Sequence, residues 1–171
     1  MNRYETILVD KKDRVLLIGL NRPERLNAIS RKMIAEVKLI MSEVEDDPST
    51  AAVVLHGMGR AFSSGMDLKD DAVSGVSGSE KWRKILSDDL DFILQFWDCP
   101  KPTIAVTHGF CLAAACELAM ACDMTIAEEG TFFGEPELKF GSVITVMIMP
   151  YLTGPKVAKE LLLSADDRVS A

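Results

Sequence analysis

Histidine is nearly missing from this sequence: only His56 and His108 occur in 171 residues, each in an apolar context. A histidine-based zinc site and a Ser–His catalytic relay both lack the side chains they would need. Cysteine is also scarce. Cys99, Cys111, Cys116 and Cys122 form no CxxC pair and sit among Leu, Ala and Met, which reads as small buried hydrophobes rather than a disulfide frame. No stretch reaches the roughly 18 apolar residues of a membrane span. The segment MNRYETILVD has neither the apolar core nor the cleavage pattern of a secretory signal, so a reducing cytoplasm is the expected setting. Excess positive charge is absent as well. Lys and Arg number 19 against 26 Asp and Glu, a net charge of -7, which argues against a nucleic-acid footprint or a polybasic membrane patch. An anionic small ligand stays open, since a few placed cations or helix amides suffice for it. Neither GxGxxG nor GxxxxGK[ST] occurs, which weakens a nucleotide-binding reading.

What is present is a globular chain, 48% hydrophobic and 26% charged, of a length that suits one domain over 1–171. Tyr4–Asp10 and Arg14–Leu20 predict a hairpin turned at Lys11–Asp13. Ser30 is a plausible N-cap for a helix to Glu45, with Met33, Ile34, Val37, Ile40, Met41 and Val44 on one face. Ala51–His56 predicts a strand, and Gly57–Asp67 a glycine-containing loop. Asp70–Ser79 has no period and predicts a mobile surface segment. A second amphipathic helix over Glu80–Trp97, a strand over Thr103–Thr107, a helix over Leu112–Ala121 and a strand over Asp123–Ala127 follow. A short element at Pro136–Lys139 and helices over Thr145–Leu152 and Pro155–Ser164 complete the chain. Repeated helix–strand units after a hairpin give an α/β class.

Three places invite chemistry. Glu117 lies in a segment otherwise made of apolar and small residues, where a buried carboxyl would have a raised pKa suited to proton transfer. The bland alternative is a Glu117 that reaches solvent or makes a structural ion pair. Phe132-Phe133-Gly134-Glu135-Pro136-Glu137 sets two carboxyls around a proline beside aromatics, which suits acid–base work or a plain helix N-terminus. Ala61–Leu68 follows an apolar strand and can expose backbone N–H groups as an oxyanion hole. Ser63 and Ser64 lack a GxSxG elbow, so a serine nucleophile is disfavoured.

Four ordered segments resemble the enoyl-CoA hydratase/isomerase (crotonase) family: Leu20–Ala28, Ala61–Leu68, His108–Ala119 and Phe133–Glu137. The resemblance runs from about Tyr4 to the end. It implies a crotonase-like spiral of repeated β-β-α units, ending near Asp167–Ala171 where relatives continue through further C-terminal helices. It implies that the backbone N–H groups of Met66 and Ala114 hold a thioester oxygen. By the same resemblance Glu117 activates water for attack at the β-carbon and Glu137 exchanges the α-proton. Ala28 and Ser64 would lie near the adenine end of coenzyme A. The implied substrate is an acyl-CoA thioester, with no permanently bound cofactor and no metal, and the implied assembly is a trimer or hexamer. Retention of both glutamates favours hydration of a 2-enoyl-CoA. An isomerase or thioester hydrolase of the same fold, and a non-catalytic scaffold, remain as alternatives. Alanine at 113, 114 and 115, where relatives commonly carry glycine, predicts backbone strain at any position with φ > 0. Ser142–Pro150 predicts a more apolar wall than the glycine-rich stretch common in hydratases.

Overall fold

The computed structural model describes residues 4–70, 75–142 and 148–171. Ile7–Lys12 (β1) and Val15–Leu20 (β2) pair antiparallel, and the turn between them uses Asp13 at a φ of 53°. The six apolar residues predicted on one face of Arg31–Glu45 (α1) are all buried there. Ser30 caps this helix, its Oγ accepting from the Met33 N–H at 3.2 Å. Ala52–Gly57 (β3) lies parallel to β2, and Ser79–Trp97 (α2) carries the chain back to Thr103–Thr107 (β4), parallel to β3. Phe110–Leu112 (β5), Ala114–Ala121 (α3), Met124–Ala127 (β6) and Phe132–Gly134 (β7) follow. Met149–Thr153 (α4), Pro155–Ser164 (α5) and Val169–Ser170 (β8) end the chain.

The strands form two sheets, one ordered β1-β2-β3-β4-β6 and a small one ordered β5-β7-β8. In the large sheet the parallel strands β2, β3 and β4 are joined through α1 and α2, with β6 following α3. Its inward side chains, Ile18 and Leu55 among them, join Met33 of α1, Phe92 of α2 and Leu118 of α3 in one apolar cluster. The helix α3 is built of small residues and is buried almost all round, which lets it lie close to the backbone beside it.

Two departures from the expected elements bear on the site. Phe110–Leu112 is a strand, and the helix expected from Leu112 begins at Ala114. The strand at Phe132–Gly134 had no counterpart in the sequence reading. Of the segment expected to be mobile, residues 71–74 lie outside the described residues. Residues 143–147 do too, which removes the first part of the helix expected at Thr145–Leu152 and the middle of the apolar wall; the described helix there is α4. All four cysteines are free thiols, and Cys111, Cys116 and Cys122 are buried.

Asn27 ties the loop after β2 to the loop after β3. It is fully buried at a φ of 53°. Its Nδ2 donates to the carbonyls of Met58 and Ala61, each at 2.8 Å, and its Oδ1 accepts from the Arg22 N–H at 2.8 Å. Asn27→Leu strands these groups and places a branched side chain at a left-handed position. Urea denaturation is expected to show a loss of roughly 3 kcal/mol or more.

Candidate active site

Three segments distant in sequence lie side by side in register. Ser63 forms a parallel bridge with Cys111, and Cys111 of β5 is level with Phe133 of β7. The Leu112 N–H donates to the Ser63 carbonyl at 3.1 Å, and the Ala113 N–H to the Gly134 carbonyl at 2.8 Å. Three residues beyond this common line stand Met66, Ala114 and Pro136, with Glu137 next.

The backbone at each position frees a donor. Ile29 bridges the Met66 segment by donating to the Gly65 carbonyl at 2.8 Å and accepting from the Asp67 N–H at 2.9 Å. In a parallel bridge this turns the N–H of Met66 itself to the other side. Ala113 adopts φ 56° and ψ −136°, a conformation that alanine seldom takes. The strain expected at the alanine triplet is therefore present, and at one residue of the three. That turn starts α3 at Ala114, whose N–H is one of the first-turn donors without an intrahelical acceptor. Among the described residues, neither the Met66 nor the Ala114 N–H meets an acceptor. The two segments touch at Gly65, which has a φ of 89°. A Cβ placed there would lie 2.7 Å from the Ala113 Cβ and 3.4 Å from the Ala114 nitrogen.

Met66 and Ala114 both border one cavity of about 360 Å³, and Glu137 stands in the same wall. Trp82, Ile85, Leu86 and Phe140 make its apolar side. Farther along the wall, Arg31 pairs with the buried Asp89. Burial raises the Asp89 carboxyl above the usual aspartate range, and the Arg31 charge only partly offsets it. Asp67, also in the wall, is held the other way: burial pushes it up, but Arg22 at 2.8 Å and the Lys69 N–H outweigh that and lower it.

Glu137 is raised by burial, partly offset by its own backbone N–H and by contact with Glu135. Glu117, on the first turn of α3, is only 2% exposed and stands outside the residues bordering the cavity. Its charge is nonetheless felt at Glu135, as is that of Glu137. The expected pair of glutamates thus flanks a third carboxyl. Ser64 borders the cavity, and its N–H donates to the Leu26 carbonyl at 3.0 Å. Ala28 is buried, its carbonyl held by the Arg22 guanidinium. Ser63 is fully buried and donates its hydroxyl proton to the Asn27 carbonyl at 2.9 Å, which agrees with a structural rather than nucleophilic serine.

Residues 10–171 match the family model described as enoyl-CoA hydratase/isomerase. The chain belongs to that family. A crystal structure of an enoyl-CoA hydratase/isomerase from Xanthobacter autotrophicus Py2 is 52% identical, with a TM-score of 0.95 over 98% of this chain and 62% of the other. The enoyl-CoA hydratase of Bacillus anthracis is 31% identical, with a TM-score of 0.89 over 98% and 65%. The crotonyl-CoA hydratase of Syntrophomonas wolfei is 32% identical over 95% of this chain and 63% of its own. A protein named probable enoyl-CoA hydratase from Mycobacterium tuberculosis is 37% identical over 81% and 52%. This chain therefore spans between about half and two thirds of the length of these relatives.

The crotonase-like fold read from the four segments is the fold observed, and Met66, Ala114, Ser64 and Glu137 come to one cavity in this hydratase/isomerase-family chain. The sequence marked Glu135 only as one of two carboxyls around Pro136 that suit acid–base work or a plain helix N-terminus, and its burial to 1% exposure is what the structure adds. No described helix is long and apolar enough to cross a membrane.

Proposed function

We propose that this chain carries the site of a hydratase acting on 2-enoyl-CoA thioesters. The observation that carries the reading is a single cavity bordered by two unengaged backbone N–H donors and by Glu137. The thioester oxygen accepts from the Met66 and Ala114 N–H groups, each worth about 3 kcal/mol as enolate charge develops on it. Glu117 takes a proton from water as the water oxygen bonds to the β-carbon. Glu137 gives its proton to the α-carbon, and the π electrons of the C=C bond form that new C–H bond by way of the enolate. A raised Glu137 supports this step, because the residue must hold a proton before giving it up. Alanine at 113 and 114 leaves both donors in place. Ser64, at the cavity edge, and Ala28 serve the adenine end of coenzyme A. Exposed Phe140, Tyr151 and Leu163 support self-association as a trimer or hexamer.

One observation favours a second reading. Glu137 borders the cavity and Glu117 does not, as suits an isomerase in which Glu137 alone shuttles a proton between the α- and γ-carbons. Purified protein given crotonyl-CoA is expected to consume the enoyl thioester absorbance. Turnover of a 3-enoyl-CoA with none of crotonyl-CoA would replace the hydratase reading by the isomerase one, and binding without turnover of either would leave a scaffold.

A further inference from the structure

Glu135 is a buried carboxyl that takes no part in the hydration steps. It is 1% exposed, and neither of its carboxyl oxygens reaches solvent or accepts a hydrogen bond of standard geometry. It is held at the end of β7, the residue after Gly134, whose carbonyl anchors the Ala113 N–H. The groups facing it are Glu137 from its own turn, Glu117 and Cys116 from α3, and Cys111 from β5. Among the described residues no lysine, arginine or histidine faces it. The cations of the cavity wall, Arg31 at the start of α1 and Lys69 in the loop after β3, share that wall with Asp67, Asp70 and Asp89. The three glutamates are not arranged as a cation site either.

Glu135 and Glu137 are neighbouring carboxyls, and with no cation facing Glu135 among the described residues they do not both ionise at neutral pH. One must keep its proton, and access decides which. Glu137 meets the cavity and must exchange its proton with substrate. Glu135 meets neither substrate nor water. As two carboxylates, moreover, Glu135 and Glu137 would each only accept, so their contact becomes a hydrogen bond when one of them is protonated.

We propose that Glu135 is a positioning residue that remains protonated through the reaction and donates a hydrogen bond from its carboxyl O–H to Glu137, fixing the Glu137 carboxyl toward the cavity in both of its protonation states. The role rests on the hydratase reading of the site. Burial first, and the charges of Glu137 and Glu117 second, push Glu135 up to about 10, in keeping with a proton retained at neutral pH. The donated bond works on Glu137 in the opposite sense, favouring its charged form and restraining a rise that burial alone would make larger. The active site thus has a proton that is spent in each turnover and a neighbouring one that is kept.

Two substitutions test this. Glu135→Gln keeps a donor of the same shape and removes ionisation; Glu135→Leu removes the donor. The Gln variant is expected to stay within about threefold of wild-type kcat/KM at pH 7, and to lose the fall in activity that wild type shows as Glu135 ionises near pH 10. The Leu variant is expected to lose about 10- to 100-fold, the value of one hydrogen bond to a charged group, with the Glu137 limb of its pH profile moved upward. A Gln variant as impaired as the Leu variant, or a Leu variant with wild-type rate and profile, overturns the assignment.

Thermal unfolding supplies a readout that needs no substrate. A carboxyl raised in the folded state lends its stability below the unfolded value of 4.5 and loses it as pH rises through the folded value of about 10. The Tm of Glu135→Gln relative to wild type is therefore expected to climb steadily between those limits, and a constant difference overturns the retained proton. Absence of any turnover by wild type would sink the hydratase reading, whereas the Tm series would still say where the proton resides.

Discussion

Glu137→Gln is expected to lower turnover of crotonyl-CoA by two or more orders of magnitude while Tm holds or rises. The loss follows from position: Glu137 is the glutamate that borders the cavity lined by Met66 and Ala114. The amide matches it in shape and cannot move a proton to or from the α-carbon. Stability should not fall with activity, because the substitution removes a buried ionisable group from contact with Glu135. Such opposite movement marks a group kept for chemistry rather than for folding. Glu117→Gln makes the complementary case. Under the hydratase reading it loses hydration to a similar degree, and any exchange of α-protons through Glu137 survives. If Glu117→Gln retains full hydration, Glu117 has no part in activating water. Solvent deuterium incorporation at the α-carbon, followed by NMR, separates the two roles.

The second large effect is expected at Gly65. Its φ of 89° already disfavours any side chain, and a Cβ would lie 2.7 Å from the Ala113 Cβ and 2.9 Å from the Leu112 carbonyl. Backbone rather than a pliable side chain must yield, and that backbone carries the Met66 and Ala114 donors. Gly65→Ala is expected to cost about 2–4 kcal/mol of stability and about 100-fold in kcat. Gly130 provides the control, since it has a similar φ of 87° with nothing within 4 Å. Gly130→Ala should show only the conformational cost, about 1 kcal/mol, with unchanged kcat. Equal activity in the two variants would mean that the Gly65–Ala113 contact does not set the spacing of the donors.

The parts of the molecule that announce themselves in sequence are those with enough length to show a period. The α1 stripe of Met33, Ile34, Val37, Ile40, Met41 and Val44 is one, and α2 and the β1–β2 hairpin are others. Glu117 stood out because one carboxylate among alanines and leucines has few reasons to be there. What escaped notice was short. Strands β5 and β7 have three residues each, too few for alternation to register, and they exist because they pair with each other. The turn at Ala113 escaped local reading for a related reason. Alanine carries no signal for positive φ, and the contacts that hold it there, with Gly65 and Gly134, come from far along the chain. Glu135 was visible only as one of two carboxyls around Pro136, since a glutamate near a helix start is open to a plain electrostatic reading until its burial is known.

The common line through Ser63, Cys111 and Phe133 has a consequence for how this chain can change in length. Met66, Ala114 and Glu137 are each reached by counting three or four residues beyond that line. A single residue inserted or deleted between Ser63 and Met66, Cys111 and Ala114, or Phe133 and Glu137 shifts one contribution by about 3.3 Å while the other two stay put. No compensating point substitution restores the count. Length variation among working versions of this site is therefore confined to segments outside those three intervals, and a gap falling inside one of them marks a chain that has given up the reaction.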